Sequence, residues 1–319
     1  MNAGEKTIQW LFEEQLRVDR QWSAKRPTGF TWWADRHAQT IEVVDSERNE
    51  DGETAYLISI RTDFLRNLEL NDRALAGINA LLMRFASMAG PVFDEHSQTL
   101  SLCSLVRVHE SIREWMSALL SVASVLQIAE ARIMAKGLAT HFQAESAESG
   151  HPVNGKRPMP DELAEIVANL IAPLGKEPCK WHPAEFEQAV RDHLEPMGLK
   201  ASWGFRGLTA EFPFGDETSL FRLSGQDPHP RYGNGILLIQ SFRAGNLTEL
   251  EATQVALSLN ADNLTKIPAG YGFGSYCSSD GCIHFTTFLP NAVHREGLFP
   301  SFCYAAAERA ERMSNLLRH

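Results

Sequence analysis

Cys277 and Cys282 bracket Ser278-Ser279-Asp280-Gly281, a spacing that could serve a redox pair or half of a metal site. Zinc wants four ligands, and no second cysteine pair or His-x-x-x-His partner lies nearby. Asp280-Gly281 between two β-type runs is also a tight-turn signal, with the cysteines as flanking residues able to face each other. The turn reading is preferred. Cys103 and Cys303 sit in apolar strand and helix contexts and read as small core residues. Eleven histidines are scattered along the sequence, none in an HExxH or HxH pattern or in order with a nucleophile elbow. Gly270, Gly272 and Gly274 resemble a phosphate loop in spacing, but they lack the GxxxxGK(S/T) frame and precede a strand. No helix N-terminus would face a phosphate there, and a closely packed glycine-rich strand is expected. Asp161, Glu162 and Glu165 cluster at a helix start, where they favour the dipole. Spacing alone therefore assigns no catalytic residue, no cofactor and no metal ligand.

Aromatic residues give the partner-binding candidates. Trp32 and Trp33 are adjacent in a β-type run, so they point to opposite sheet faces. One is expected in the core, the other exposed to a partner or covered by the opposite half. Trp203 and Phe205 occupy comparable early strands further on and share one face. Core packing is the commoner fate of such side chains, with binding as the alternative. The loop Asp227-Pro228-His229-Pro230-Arg231-Tyr232 could touch a ligand, although a rigid surface loop is the plainer reading.

The elements that must position these residues are written twice. Residues 5–22 form an amphipathic helix carrying Ile8, Leu11, Phe12 and Leu16, ended by Pro27 and Gly29. Then come β-type runs at 30–34, 40–44 and 56–60, a helix over 70–88, two short β-type runs ending at 100–106, and a long apolar-striped helix over 111–134. The second copy has a helix over 183–194 with Pro183 at its first position, strands at 199–205, 208–212, 219–223 and 236–241, and a helix over 250–264. Thr248 and Glu251 form a capping box there. A strand at 283–289 and a closing helix from 299 complete it. Asn79-Ala80 recurs as Asn260-Ala261, Ala89-Gly90 and Phe93 as Ala269-Gly270 and Phe273, and Leu100 to Val106 as Ile283 to Leu289. The largest change of spacing falls at a hairpin turn, where insertions cost least.

At 319 residues, two domains are the default. The expected boundaries are 1–138 and 180–319, with 139–179 as a polar linker that contains one short helix over 161–174. The composition, 44% hydrophobic and 22% charged, is that of a folded globular protein. A net charge of −10 argues against nucleic acid, which needs clustered Lys and Arg. No signal peptide, no apolar run of about 20 residues and no even cysteine framework is evident, so a cytoplasmic setting without a membrane partner is expected.

This α-β-β-β-α-β-β-α order, carried by the pattern around Trp32-Trp33, Tyr56 to Ile60, Ala89-Gly90, Leu100 to Val106 and the helix from Ser111, resembles the type III secretion chaperone-like fold. The YbjN-type bacterial sensory transduction regulators share it. The resemblance implies an α+β fold with antiparallel sheets, here in two tandem copies, and domains that hold other proteins on hydrophobic sheet or helix surface. Members of that fold are typically dimers. Two copies in one polypeptide suggest an intramolecular pseudo-dimer, compatible with a monomeric state. A non-enzymatic, chaperone- or adaptor-like protein-binding module is thus expected. The alternatives are a small-molecule or enzymatic site in the cleft between the halves, and a regulator that associates with a sensor or secretion component.

Overall fold

The computed structural model describes residues 1–48, 52–85, 87–171, 177–205, 207–265, 272–296 and 298–317. It is an α+β protein of two similar halves, each built on one antiparallel sheet. The first half runs α1 (Ala3–Trp10), β1 (Ser23–Arg26), β2 (Gly29–Trp32), β3 (Gln39–Arg48), β4 (Thr54–Arg66), α2 (Asp72–Phe85), β5 (Gly90–Asp94), β6 (Thr99–Val108) and α3 (Arg113–Phe142). Then follow β7 (Glu145–Ser146) and α4 (Glu162–Ile171). The second half runs α5 (Pro183–Ala189), β8 (Ala201–Gly204), β9 (Gly207–Phe214), β10 (Glu217–Ser224), β11 (Gly235–Arg243), α6 (Glu249–Thr265), β12 (Ser275–Ser279), β13 (Cys282–Pro290) and α7 (Leu298–Leu317). The sheet orders are β1-β2-β3-β4-β6-β5 and β12-β13-β11-β10-β9-β8, so the two topologies correspond strand for strand.

Each half opens with four strands before its second helix. In the first half the sequence pattern shows only three. The additional one, β1, follows directly on residues whose spacing predicts a helix as far as Trp22. That helix instead passes through a π turn at Leu11–Gln15 and ends at Arg17, whose φ of +43° leaves the helical region. The second half has the same π turn, Val190–Leu194, after α5.

Contacts group the protein into two units. The first consists mainly of Met1–Ala74 and Ala89–Leu170, the second of Leu75–Met88, Ile171–Asn260 and Ala269–His319. The boundary therefore departs from the expected ones: most of α2 packs with the second sheet. Asn79 of α2 bonds both the backbone carbonyl and the backbone N–H of Ser278 on β12, each at 2.8 Å. Asn260 of α6 does the same for Tyr276, at 3.0 and 2.7 Å. The recurrence of the two asparagines thus has a physical basis. An edge strand carries unpaired amide groups, and a carboxamide supplies one donor and one acceptor at strand spacing.

The closing helices are keyed to their sheets by buried polar groups. In the first unit Gln39 accepts from Trp32 Nε1 (2.9 Å) and donates to Thr62 Oγ1 (2.8 Å), which donates in turn to Gln127 of α3 (2.9 Å). In the second, Arg309 of α7 donates to Gln240 (2.9 Å) and lies 3.6 Å from the Phe285 ring centroid. Partly satisfied networks would be costly in a dry core, so these bonds fix how each helix lies on its sheet.

Residues 139–160 do not form the expected linker. Helix α3 continues to Phe142, β7 then pairs with the end of β4, and Asp161 N–H donates to Ala34 O at 2.6 Å. Polar composition is what a surface strap shares with a loose tether, so composition alone misleads here. The helical span Glu110–Phe142 is also long and apolar enough to cross a membrane by length and composition, contrary to expectation, yet 67% of its most apolar window is buried. A helix enclosed on several sides needs no polar face.

Candidate functional site

A groove of about 950 Å³ lies in the first unit, between α1 with its π turn and the β1–β2 hairpin. Helix α1 is set down closely because Gly4 faces Tyr56 and Val43, where a Cβ would come within 3.0 Å of both. Asn2 and Glu5 cap its start reciprocally, at 2.8 and 3.1 Å. The hairpin is pressed onto the third strand at Gly29, whose missing Cβ would lie 2.0 Å from Ile41 O. Strand β3 supplies the far end. Its register slips between Val43 and Asp45, so Val44 is bulged and stays 44% exposed in the groove wall. Bulges of this kind re-aim side chains beside sites.

Ile8, Phe12, Phe30, Val43 and Tyr56 form the apolar floor, with Phe12 edge-on to Phe30 at 5.0 Å. Ionic groups of both signs line it: Glu5 and Glu13 on the helix side, Asp45 on β3, Arg20 just before β1, and Lys25 and Arg26 on the hairpin. Arg26 is paired with Glu42 at 3.0 Å. Among the described residues, no histidine or cysteine lines the groove. Its chemistry is that of holding an amphipathic segment: apolar area to bury, and ionic groups of both signs to orient it.

The four aromatic candidates separate. Trp32 and Trp33 are both buried, at 1% and 6% exposure, and neither is available to a partner. Trp32 is tied into the Gln39 network. Trp33 lies beyond the end of β2 and is covered by the strap: its Nε1 donates to Ser149 Oγ (3.0 Å) and its ring meets His151 edge-on at 5.1 Å. The alternation of a regular strand, which would have exposed one of them, does not extend to Trp33. Trp203 and Phe205 are exposed, at 43% and 77%, the second in the turn after β8.

The other chemical candidates fall into structural roles. Asp280 and Gly281 both have positive φ, +51° and +72°, and form the tight turn between β12 and β13. Cys282 pairs in register with Ser279 and Cys277 with His284, so the two cysteines do not face each other. Burial pushes the Cys277 thiol up to about 11, and those of Cys103 and Cys303 up to about 12. Of the glycine run, 270 and 271 lie outside the described residues. Gly274 has φ +145°, and a Cβ there would come within 2.6 Å of Thr286 O. The sequence match of Phe93 to Phe273 also fails: Gly90 pairs with Cys103 and Ser275 with Thr286, which aligns β5 with residues after Phe273.

His229 is buried in its loop. Its Nδ1 accepts from Arg231 N–H and Tyr232 N–H (3.1 and 3.2 Å), the ring stacks on Tyr232 at 4.4 Å, and burial lowers its pKa to about 4. His284 lies between Ser241 Oγ, 2.8 Å from Nδ1, and Ser279 Oγ, 3.0 Å from Nε2. A serine hydroxyl there takes the place that a catalytic carboxylate would fill, so an imidazolium gains no anionic partner from this bond. Among the described residues, no group of three or more His, Cys, Asp or Glu could hold a metal ion.

The protein matches no protein-family model, no curated protein and no solved structure.

The groove escapes a reading of the sequence because the pattern over 5–22 predicts an unbroken helix where the hairpin begins. Lys25-Arg26-Pro27-Thr28-Gly29 is the available signal: two cations before a turn, then a glycine opening an aromatic strand.

Proposed function

We propose that the protein is a non-enzymatic binding module that holds a segment of a partner protein in the groove of the first unit. One observation carries this: an apolar floor in a groove of about 950 Å³, bordered by ionic groups of both signs. A small metabolite would need convergent polar groups at the floor, whereas an amphipathic polypeptide matches an apolar floor with charged rims. The resemblance to chaperone-like domains points the same way, as does an adaptor or regulatory role built on such binding.

The test places a photo-crosslinking residue at Val44 of the full-length protein. The expected outcome is a cross-linked peptide that, once synthesised, binds the purified protein saturably and binds Phe12→Glu at least tenfold more weakly. A metabolite that copurifies and is displaced by nothing proteinaceous would replace this reading with the small-molecule one.

A further inference from the structure

The two sheet paths have four end strands, and three of them carry a guard against added strands. Strand β12 is closed by Asn79 and Asn260. On β1, Ser23 O accepts from His151 Nε2 at 3.2 Å, and Lys25 and Arg26 add charge. Strand β5 contains Pro91, which has no N–H. Strand β8 has no such device. Glu211 N–H donates to Lys200 O at 2.9 Å, which sets the alternation of the β8–β9 ladder. Lys200, Ser202 and Gly204 therefore bond inward, and the N–H and C=O of Ala201 and Trp203 point away from the sheet. Among the described residues nothing bonds them. Trp203 and Phe205 stand exposed beside them.

We propose that β8 takes an extended segment of a partner protein as an added strand. The partner's backbone bonds Ala201 and Trp203, and an apolar side chain of the segment packs against Trp203 and Phe205. An extended polypeptide is the occupant because it alone offers alternating donors and acceptors at the spacing of every second residue, about 6.6 Å. With two outward residues the ladder supplies few bonds, so the aromatics must supply much of the affinity. A second copy of the protein is disfavoured by its net charge of −10. This surface is separate from the groove and does not depend on it.

The test exposes the full-length protein to a pool of blocked hexapeptides with Val, Ile or Phe at alternate positions. Enrichment of peptides that slow hydrogen exchange at the Ala201 and Trp203 amides is expected. Ala201→Pro removes an outward N–H but also restrains Lys200, whereas Trp203→Ser removes the aromatic alone; each should weaken binding at least tenfold, while Phe12→Glu leaves it unchanged. Absence of enrichment by the wild type overturns the proposal, as does binding by both β8 variants equal to that of the wild type. Protection of those amides that rises with protein concentration, without peptide, overturns it in favour of a second copy.

Discussion

The β1–β2 and β8–β9 hairpins have one backbone and two surfaces. Each begins with a four-residue strand, and each second strand opens with a glycine pressed against the third strand. A Cβ on Gly29 would lie 2.0 Å from Ile41 O, and one on Gly207 would lie 1.9 Å from Leu223 O. Aligned on these glycines, Lys25 opposite Phe30 corresponds to Trp203 opposite Leu208, and Pro27 to Phe205. The glycine persists because no side chain fits between two backbones. Its neighbours face solvent, where substitutions change stability little, and they have become a charged groove wall in one unit and an aromatic edge in the other. A duplicated scaffold therefore keeps what crosses close to backbone and diverges at what points outward.

Breaking the shared element should have the largest effect. Gly207→Ala puts a methyl onto a carbonyl at a φ of +136°, and Gly29→Ala makes the same clash without the unusual φ. Each is expected to cost about 3 kcal/mol or more, with Gly207→Ala the greater. Urea unfolding of the two variants decides it. Equal and small losses would mean that the hairpins are free to lift from the third strand.

The edges give the next effect. Asn79→Ala or Asn260→Ala removes two bonds and leaves a strand N–H and C=O unpaired, costing about 2 kcal/mol each. Faster hydrogen exchange at the Ser278 amide for the first variant, and at Tyr276 for the second, would locate the loss on β12. No change would show that water or a neighbour replaces the carboxamides. Because the β8 edge lacks such groups, no single asparagine in the second unit should alter exchange at Ala201.

How much of this is legible in the sequence follows from the same distinction. The fold class, the duplication, the capping box at Thr248 and Glu251, and the turn at Asp280-Gly281 are local signals, and the structure has them. The recurrence of Asn79 and Asn260 is visible as letters. Their common task is not, since it depends on which edge the two helices reach. Strand β1 is hidden by a helix-like pattern that a π turn and one left-handed residue interrupt. The groove needs Ile8, Phe30, Val43 and Tyr56 from four elements, and no local pattern brings them together. Trp33 defeats the alternation argument because the strap that buries it looks, in composition, like a tether.

Acid should act on the second unit through His229. Burial lowers its pKa to about 4, against roughly 6.5 in an unfolded polypeptide. The unfolded state then binds the proton more readily between these values, so the stability this group contributes is full above about pH 6.5 and is lost as pH falls towards 4. At pH 5 the loss should be about 1–2 kcal/mol relative to pH 7. His229→Asn keeps an acceptor near Nδ1 and does not titrate, so it should flatten the profile. His37 in the first unit and His284 in the second are lowered in the same direction by burial, so some acid sensitivity remains in that variant. A profile that His229→Asn leaves unaltered would place the titration elsewhere.

The smallest effect on stability should accompany the sharpest change in binding. Lys25→Trp with Pro27→Phe gives the first hairpin the aromatics of the second. Lys25 and Pro27 are both exposed, so stability should shift by no more than about 0.5 kcal/mol. If aromatic area alone attracts extended segments, the grafted hairpin should bind the hexapeptides as β8 does. The edge argues otherwise. Ser23 O is already taken by His151, which leaves Lys25 as the outward residue of β1 with open backbone groups, against two on β8. The graft alone should therefore bind weakly, and adding His151→Ala, which frees Ser23 O, should raise its affinity several-fold. A graft that binds as tightly as β8 with His151 in place would show that the aromatics suffice and that the open backbone is incidental.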